Sequence, residues 1–262
     1  MIGLFDSGIG GLTVVRRVFE LLPACQVVYL GDTAHLPYGA RSPQTIIRYA
    51  RQDTDFLLKH GAKLVVVACN TASAVAMEDL RRRYRLPILG VVEPAIAAAV
   101  RVSAGGKIGV IGTRATVSSG IYERQIAARA PAMAVKSVPA PLLVPLVEEN
   151  WLEAEETAQV LQRYLAPLRE WGADTLIMAC THYPLLAGQM ARAMGEGVRL
   201  VDPGLETALA LRELLGADPG LAAAVQGDHH RFYLSDVTEH FAWLSEQILG
   251  RPVDHLEHVV LE

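Results

Sequence analysis

Two runs of apolar residues in this chain each end at a cysteine and pass directly into small polar residues that can begin a helix. The first is Leu64-Val65-Val66-Val67-Ala68-Cys69-Asn70-Thr71-Ala72-Ser73, and the second is Leu176-Ile177-Met178-Ala179-Cys180-Thr181-His182-Tyr183-Pro184. Short, unbroken apolar runs suit strands buried on both faces, which is what a parallel sheet covered by helices requires. Each thiol is thereby placed at the carboxyl end of a strand, where open α/β sheets bind their ligands. A helix beginning at that point would favour the thiolate through its aligned dipoles. Lone cysteines are commonly inert core residues, but these two sit at strand ends among polar neighbours. Cys25, in Ala24-Cys25-Gln26-Val27-Val28-Tyr29-Leu30, lacks such surroundings and reads as structural.

The chain reads as a diverged duplication. Ile2-Gly3-Leu4-Phe5-Asp6-Ser7 is echoed by Ile108-Gly109-Val110-Ile111-Gly112-Thr113, and Val92-Glu93-Pro94 by Val201-Asp202-Pro203. With the two cysteine motifs these make three paired features in the same order, each displaced by about 110 residues. Strands are expected near 2–5, 26–30, 63–68, 87–91, 107–111, 133–138, 174–179 and 197–201. Helices are expected near 10–22, 42–60, 72–84, 94–103, 115–129, 153–171, 184–194 and 204–215. This alternation predicts an α/β fold of two pseudo-symmetric lobes, each a mostly parallel sheet covered by helices, with the active site between them. The expected division is residues 1–93 plus 204–262 for one lobe and 94–203 for the other. Beyond about residue 215 the pattern matches neither repeat. Residues 216–228 read as a loop or short helix, 231–235 as a strand, 237–249 as an amphipathic helix and 256–261 as a weak strand. This tail is expected to fold back and complete the first lobe.

Composition removes several classes. With 262 residues, 51% of them apolar and 20% charged, the chain can bury a substantial core. A net charge of −4 with interspersed signs implies no nucleic-acid surface. No stretch approaches the roughly 18 apolar residues of a membrane span, and the immediate entry into a strand leads us to expect no leader peptide. Three cysteines do not make a disulfide framework and fit a reducing cytosol.

The remaining motifs gather at the same strand ends. Asp6-Ser7-Gly8-Ile9-Gly10-Gly11 lacks the spacing of a dinucleotide loop, yet it sets a carboxylate at the end of the first strand. The loop Gly31-Asp32-Thr33-Ala34-His35-Leu36-Pro37-Tyr38-Gly39 offers backbone N–H groups that could hold a carboxylate. Glu148 closes the apolar run from Leu142 to Val147, and His182 lies two residues past Cys180. No metal is expected, because Cys69, Cys180 and His182 lack the close ligand pairs of zinc sites. Nor is pyridoxal phosphate, since Lys59, Lys63, Lys107 and Lys136 stand in none of these motifs. Two thiols on opposite sides of one cleft could remove a proton from one face of a carbon and return one to the other. A free thiol is near enough to neutrality to serve as base or acid after modest tuning.

The motifs, taken together, resemble those of the glutamate racemases, which need no cofactor. The likeness runs from Asp6-Ser7-Gly8 through Pro37-Tyr38-Gly39, Ala68-Cys69-Asn70-Thr71, Gly90-Val91-Val92-Glu93-Pro94 and Leu146-Val147-Glu148 to Cys180-Thr181-His182-Tyr183-Pro184-Leu185-Leu186. Ala179 departs from it, since the family usually has glycine before the second cysteine. The resemblance implies racemisation of glutamate, supplying D-glutamate for peptidoglycan and so for cell-wall biogenesis and cell shape, by a cytoplasmic homodimer. It assigns Cys69 to the D-enantiomer and Cys180 to the L-enantiomer, with Asp6 supporting the first and His182 and Glu148 the second. Ser7, Asn70, Thr71, Thr181 and the turn Pro37-Tyr38-Gly39 would bind the substrate's polar groups, as would Asp6, His182 and Thr113, which echoes Ser7. The alternatives are an aspartate racemase, a non-catalytic amino-acid-binding regulatory protein of the same fold, or a dithiol redox protein.

Overall fold

The computed structural model describes residues 1–253 and 256–261. All eight strands expected of the two repeats form. They are β1 (Ile2–Asp6), β2 (Val27–Gly31), β3 (Leu64–Val67), β4 (Ile88–Gly90), β5 (Lys107–Gly112), β6 (Ala134–Pro139), β7 (Thr175–Ala179) and β8 (Arg199–Val201). The tail adds β9 (Arg231–Leu234) and β10 (Leu256–His258). Side chains alternate between two apolar layers, as the two-residue strand period demands. Ile2 and Leu4 of β1 join Val27, Tyr29, Leu64 and Val66 on one face, while Phe5 joins Val28, Leu30, Val65 and Val67 on the other. The second sheet divides in the same way, with Leu176 and Met178 on one side and Ile108, Val110 and Ile177 on the other. Helices cover both faces, which is why the central strands carry no polar face.

The described residues form two sheets, with strand orders β10-β9-β2-β1-β3-β4 and β6-β5-β7-β8. All their pairings are parallel. Set aside the tail, and both sheets follow the same order: second strand, first, third, fourth. β9 extends the first sheet beside β2, in register from Val28 opposite Arg231 to Gly31 opposite Leu234. The chain positions just after β1, β3, β5 and β7 are the places where the two sheets carry their polar and thiol groups.

Two local readings need correction, and one short helix was not assigned from the sequence. The helix expected over 115–129 is two helices, Arg114–Ser118 and Ile121–Arg129, broken at Gly120, whose φ of 62° is left-handed. The run Leu142–Val147 is not merely apolar but forms a short helix, Leu143–Glu148, that carries Glu148 at its end. Cys180 is not followed by an α-helix. A 3-10 turn, Tyr183–Leu186, intervenes before the helix Ala187–Met194, and His182 at its start gives no side-chain cap.

The glycines after β1 are spaced for close packing. A Cβ on Gly10 would lie 2.5 Å from Cε1 of His182 and 2.5 Å from Oγ1 of Thr181, both from the second repeat. The Thr13 hydroxyl reaches the same place, donating to the Thr181 carbonyl at 3.0 Å. Gly10→Ala is therefore expected to destabilise the fold by about 1–3 kcal/mol, through forced displacement of well-packed neighbours. Gly216→Ala, in a helix with no heavy atom near the added methyl, should be neutral or stabilising. Urea unfolding of the two variants checks this; equal midpoints would contradict the packing role.

Candidate active site

Cys69 occupies the N-cap of the helix Asn70–Arg83, and its sulfur accepts from the Ala72 N–H at 3.4 Å. The thiol in turn reaches the Ser7 hydroxyl at 3.7 Å. The cap alone would favour thiolate. Burial and the neighbouring Asp6 charge win instead, pushing this thiol up to about 12. The resting Cys69 is a protonated thiol, contrary to the expectation drawn from its place beside a helix start.

Cys180 has a different partner. Its sulfur is 3.9 Å from Nδ1 of His182, whose Nε2 is 3.1 Å from Oε1 of Glu148. Burial works against a charged imidazole here, but the bonds to Cys180 and Glu148 outweigh it and raise His182 to about 10. His182 is thus an imidazolium at neutral pH, held between a carboxylate and a sulfur. Asp6 lies beneath the surface, wholly buried, and accepts from the Gly8 N–H at 3.1 Å and the Thr181 hydroxyl at 3.4 Å. Burial keeps its carboxyl above the ordinary range despite these donors and the His182 charge. Asp6 therefore couples to both halves, and not to Cys69 alone.

The hydroxyls between the halves form one cluster. Thr71 Oγ1 is 2.9 Å from Thr113 Oγ1 and 3.2 Å from Thr116 Oγ1, and the latter two are 3.0 Å apart. Asn70 Oδ1 accepts from the Tyr122 hydroxyl at 2.9 Å, which leaves its amide N–H groups for an acceptor in the open space. Gly39 presses on this cluster; a Cβ there would lie 2.8 Å from Cβ of Thr113.

These groups surround a cavity of about 360 Å³. Every residue expected at the site except Asp6 lines it: Ser7, Pro37, Tyr38, Gly39, Cys69, Asn70, Thr71, Thr113, Glu148, Cys180, Thr181 and His182. Leu36, Pro141, Val144 and Pro145 supply an apolar part of the wall that the sequence motifs did not mark. Arg114 was also missed. It is exposed, lines the cavity, and makes no ion pair among the described residues. The signal for it was its position directly after Thr113. Ala179 is buried in the apolar layer with Val92 and Ile177, on the opposite side of the sheet from Cys180. Cys25 packs in the core with Val27 and Leu215, and all three cysteines are free.

Residues 2–211 match the model of the Asp/Glu/hydantoin racemase family. The chain belongs to that family. A glutamate racemase of Geobacter metallireducens is 42% identical over 262 residues, covering 100% of this chain and 97% of the relative. Among solved structures, a glutamate racemase isoform of Bacillus anthracis superposes with a TM-score of 0.94 at 34% identity, covering 100% of this chain and 97% of the other. The Francisella tularensis glutamate racemase, solved with D-glutamate, gives 0.91 at 33% identity with the same coverage. An aspartate racemase homologue of Pyrococcus horikoshii, 16% identical with a TM-score of 0.59 over 82% of this chain, shares the fold. Within this racemase family the chain's two cysteine motifs thus meet at one cavity.

The charge on His182 yields a direct test. Its value in the fold lies above the ordinary 6.5, so its pairing contributes fully below about pH 6.5 and is lost as pH rises through about 10. Imidazole ¹⁵N spectra should show His182 protonated at pH 8, and Glu148→Gln should lower its midpoint. A neutral imidazole at pH 8 would contradict the ion-pair geometry.

Proposed function

We propose that this chain interconverts L- and D-glutamate by a two-base mechanism in which Cys69 and Cys180 act on opposite faces of the α-carbon. The observation that carries this reading is the meeting of both thiols on one cavity wall system with unlike supports. The α-hydrogen of an amino acid is a very weak acid, so the site must hold the substrate's charged groups, exclude water and bring a base within reach. The His182 imidazolium lies 3.9 Å from the Cys180 sulfur, while Cys69 rests as a proton donor. That state suits the L to D direction: Cys180 removes the proton and Cys69 delivers one to the other face. In reverse, Cys69 must first lose its proton, against burial and the Asp6 charge. Binding of the substrate's ammonium group in the cavity near Cys69 would ease that step by supplying positive charge.

The polar groups of the substrate would be held by Ser7, Asn70, Thr71, Thr113, Thr181 and the backbone of the Pro37-Tyr38-Gly39 turn. Arg114 at the rim would draw in an anionic amino acid. The division into lobes 1–93 plus 204–262 and 94–203 is supported by the two separate sheets; residues 254, 255 and 262 lie outside the described residues. Among the described residues no helix is long and apolar enough to cross a membrane. Family membership supports a cytoplasmic homodimer that supplies D-glutamate for peptidoglycan.

In deuterium oxide the protein should place deuterium at Cα of glutamate and leave aspartate unlabelled. Cys69→Ser and Cys180→Ser should each lower racemisation by roughly 10²–10⁴-fold, the range of one general acid or base. Full activity in either variant would overturn the two-base reading. Glutamate binding without exchange in the unmodified protein would favour a regulatory amino-acid-binding role, and labelling of aspartate alone would favour an aspartate racemase.

A further inference from the structure

Asp53 sits within the helix Pro43–Lys59, wholly buried and outside the cavity. Its Oδ2 is 2.9 Å from the Tyr38 hydroxyl, and its Oδ1 has no hydrogen-bond partner among the described residues. The same hydroxyl is 2.6 Å from Oδ2 of Asp32. A phenol carries one proton and can donate it to only one of these carboxyl groups. Asp32 has other partners, the Ser235 hydroxyl at 2.7 Å and Nδ1 of His35 at 2.9 Å. Among the described residues Asp53 has Tyr38 alone. The Tyr38 proton therefore goes to Asp32, the shorter contact and the carboxyl already held by two other groups. That leaves the Tyr38 oxygen to be met by an O–H from Asp53. Burial and the nearby Asp32 charge hold the Asp53 carboxyl well above the usual range, in keeping with this assignment.

We propose that Asp53 is a positioning residue for the Pro37-Tyr38-Gly39 turn, donating its carboxyl proton to the Tyr38 hydroxyl oxygen. The inference rests on the reading of that turn as part of the glutamate site. Tyr38 is fixed at its tip by two hydrogen bonds, one given to Asp32 and one taken from Asp53. Tyr49 packs against its ring with centroids 5.4 Å apart. The next residue, Gly39, rests on Thr113, whose hydroxyl meets that of Thr71. Any tilt of Tyr38 is thus passed through Gly39 to the hydroxyl cluster that borders the cavity. Asp53 touches neither the cavity nor a thiol, so its effect should fall on substrate binding.

Two measurements test this. Infrared difference spectra between wild type and Asp53→Asn at neutral pH should show the carbonyl stretch of a protonated carboxylic acid, lost in the variant. Steady-state racemisation should then separate Asp53→Asn from Asp53→Leu. The asparagine variant can still donate to Tyr38 and should keep KM and kcat within roughly twofold. The leucine variant should raise KM roughly three- to tenfold, the worth of one hydrogen bond, with kcat nearly unchanged. Should Asp53→Leu fail to fold, Tyr38→Phe serves in its place and should show the same rise in KM. The proposal is overturned by absence of the carboxylic-acid band, by wild-type KM in the leucine or phenylalanine variant, or by an asparagine variant as impaired as the leucine one. A wild-type protein that does not exchange glutamate would instead remove the functional reading, and the infrared band alone would then decide the donation from Asp53.

Discussion

A fully buried carboxylate must be met by donors or lose its charge, and Asp6 is met from both halves of the molecule. It takes the Gly8 N–H from its own turn and the Thr181 hydroxyl from the other repeat. That second bond requires the backbone of Gly10 to lie directly against Thr181 and His182, where no side chain fits. Once the halves meet there, the rest of the cavity follows. Cys69 is brought under the influence of the Asp6 charge, and His182 is enclosed between Cys180 and Glu148.

The duplication supplied two equivalent strand ends, but not two equivalent environments. At the first, the sulfur caps a helix and is backed by Ser7 and Asp6, an acceptor and an anion. At the second, the helix start is displaced by a 3-10 turn, and a histidine held by Glu148 occupies the space beside the sulfur. One thiol therefore rests beside negative charge and the other beside positive charge. A reaction that must run in both directions at one carbon benefits from unequal partners only if the substrate itself redresses the balance, and an amino acid carries charges of both signs.

Much of this was legible in the residues. Runs such as Leu64–Val67 and Leu176–Ala179 announce buried strands because their period and length leave no other use for so many consecutive apolar side chains. The motifs Asp6-Ser7, Cys69-Asn70-Thr71 and Cys180-Thr181-His182 then fall at strand ends by simple counting. What could not be counted was the strength of burial. The helix start beside Cys69 argues for a thiolate locally, and only the tertiary structure shows that desolvation and Asp6 reverse the sign. Glu148 was visible as the end of an apolar run, yet the short helix that aims it carries Pro145 within it and gives a poor helical signal. The Asp32, Tyr38, Asp53 and Ser235 network draws on separate segments of the chain, and nothing in any one of them marks the others.

The tail strands have a consequence for the order in which this polypeptide is made. The strands of the second sheet, β5 to β8, lie between residues 107 and 201, so all of them are translated before β9. The first sheet begins at residue 2 but cannot finish until β9 arrives to pair with β2, some two hundred residues later. Pairings that distant in sequence form slowly, and unpaired strand edges are open to wrong partners until they do. During synthesis the edge of β2 is therefore left open, and β9, made some two hundred residues later, is what seals it.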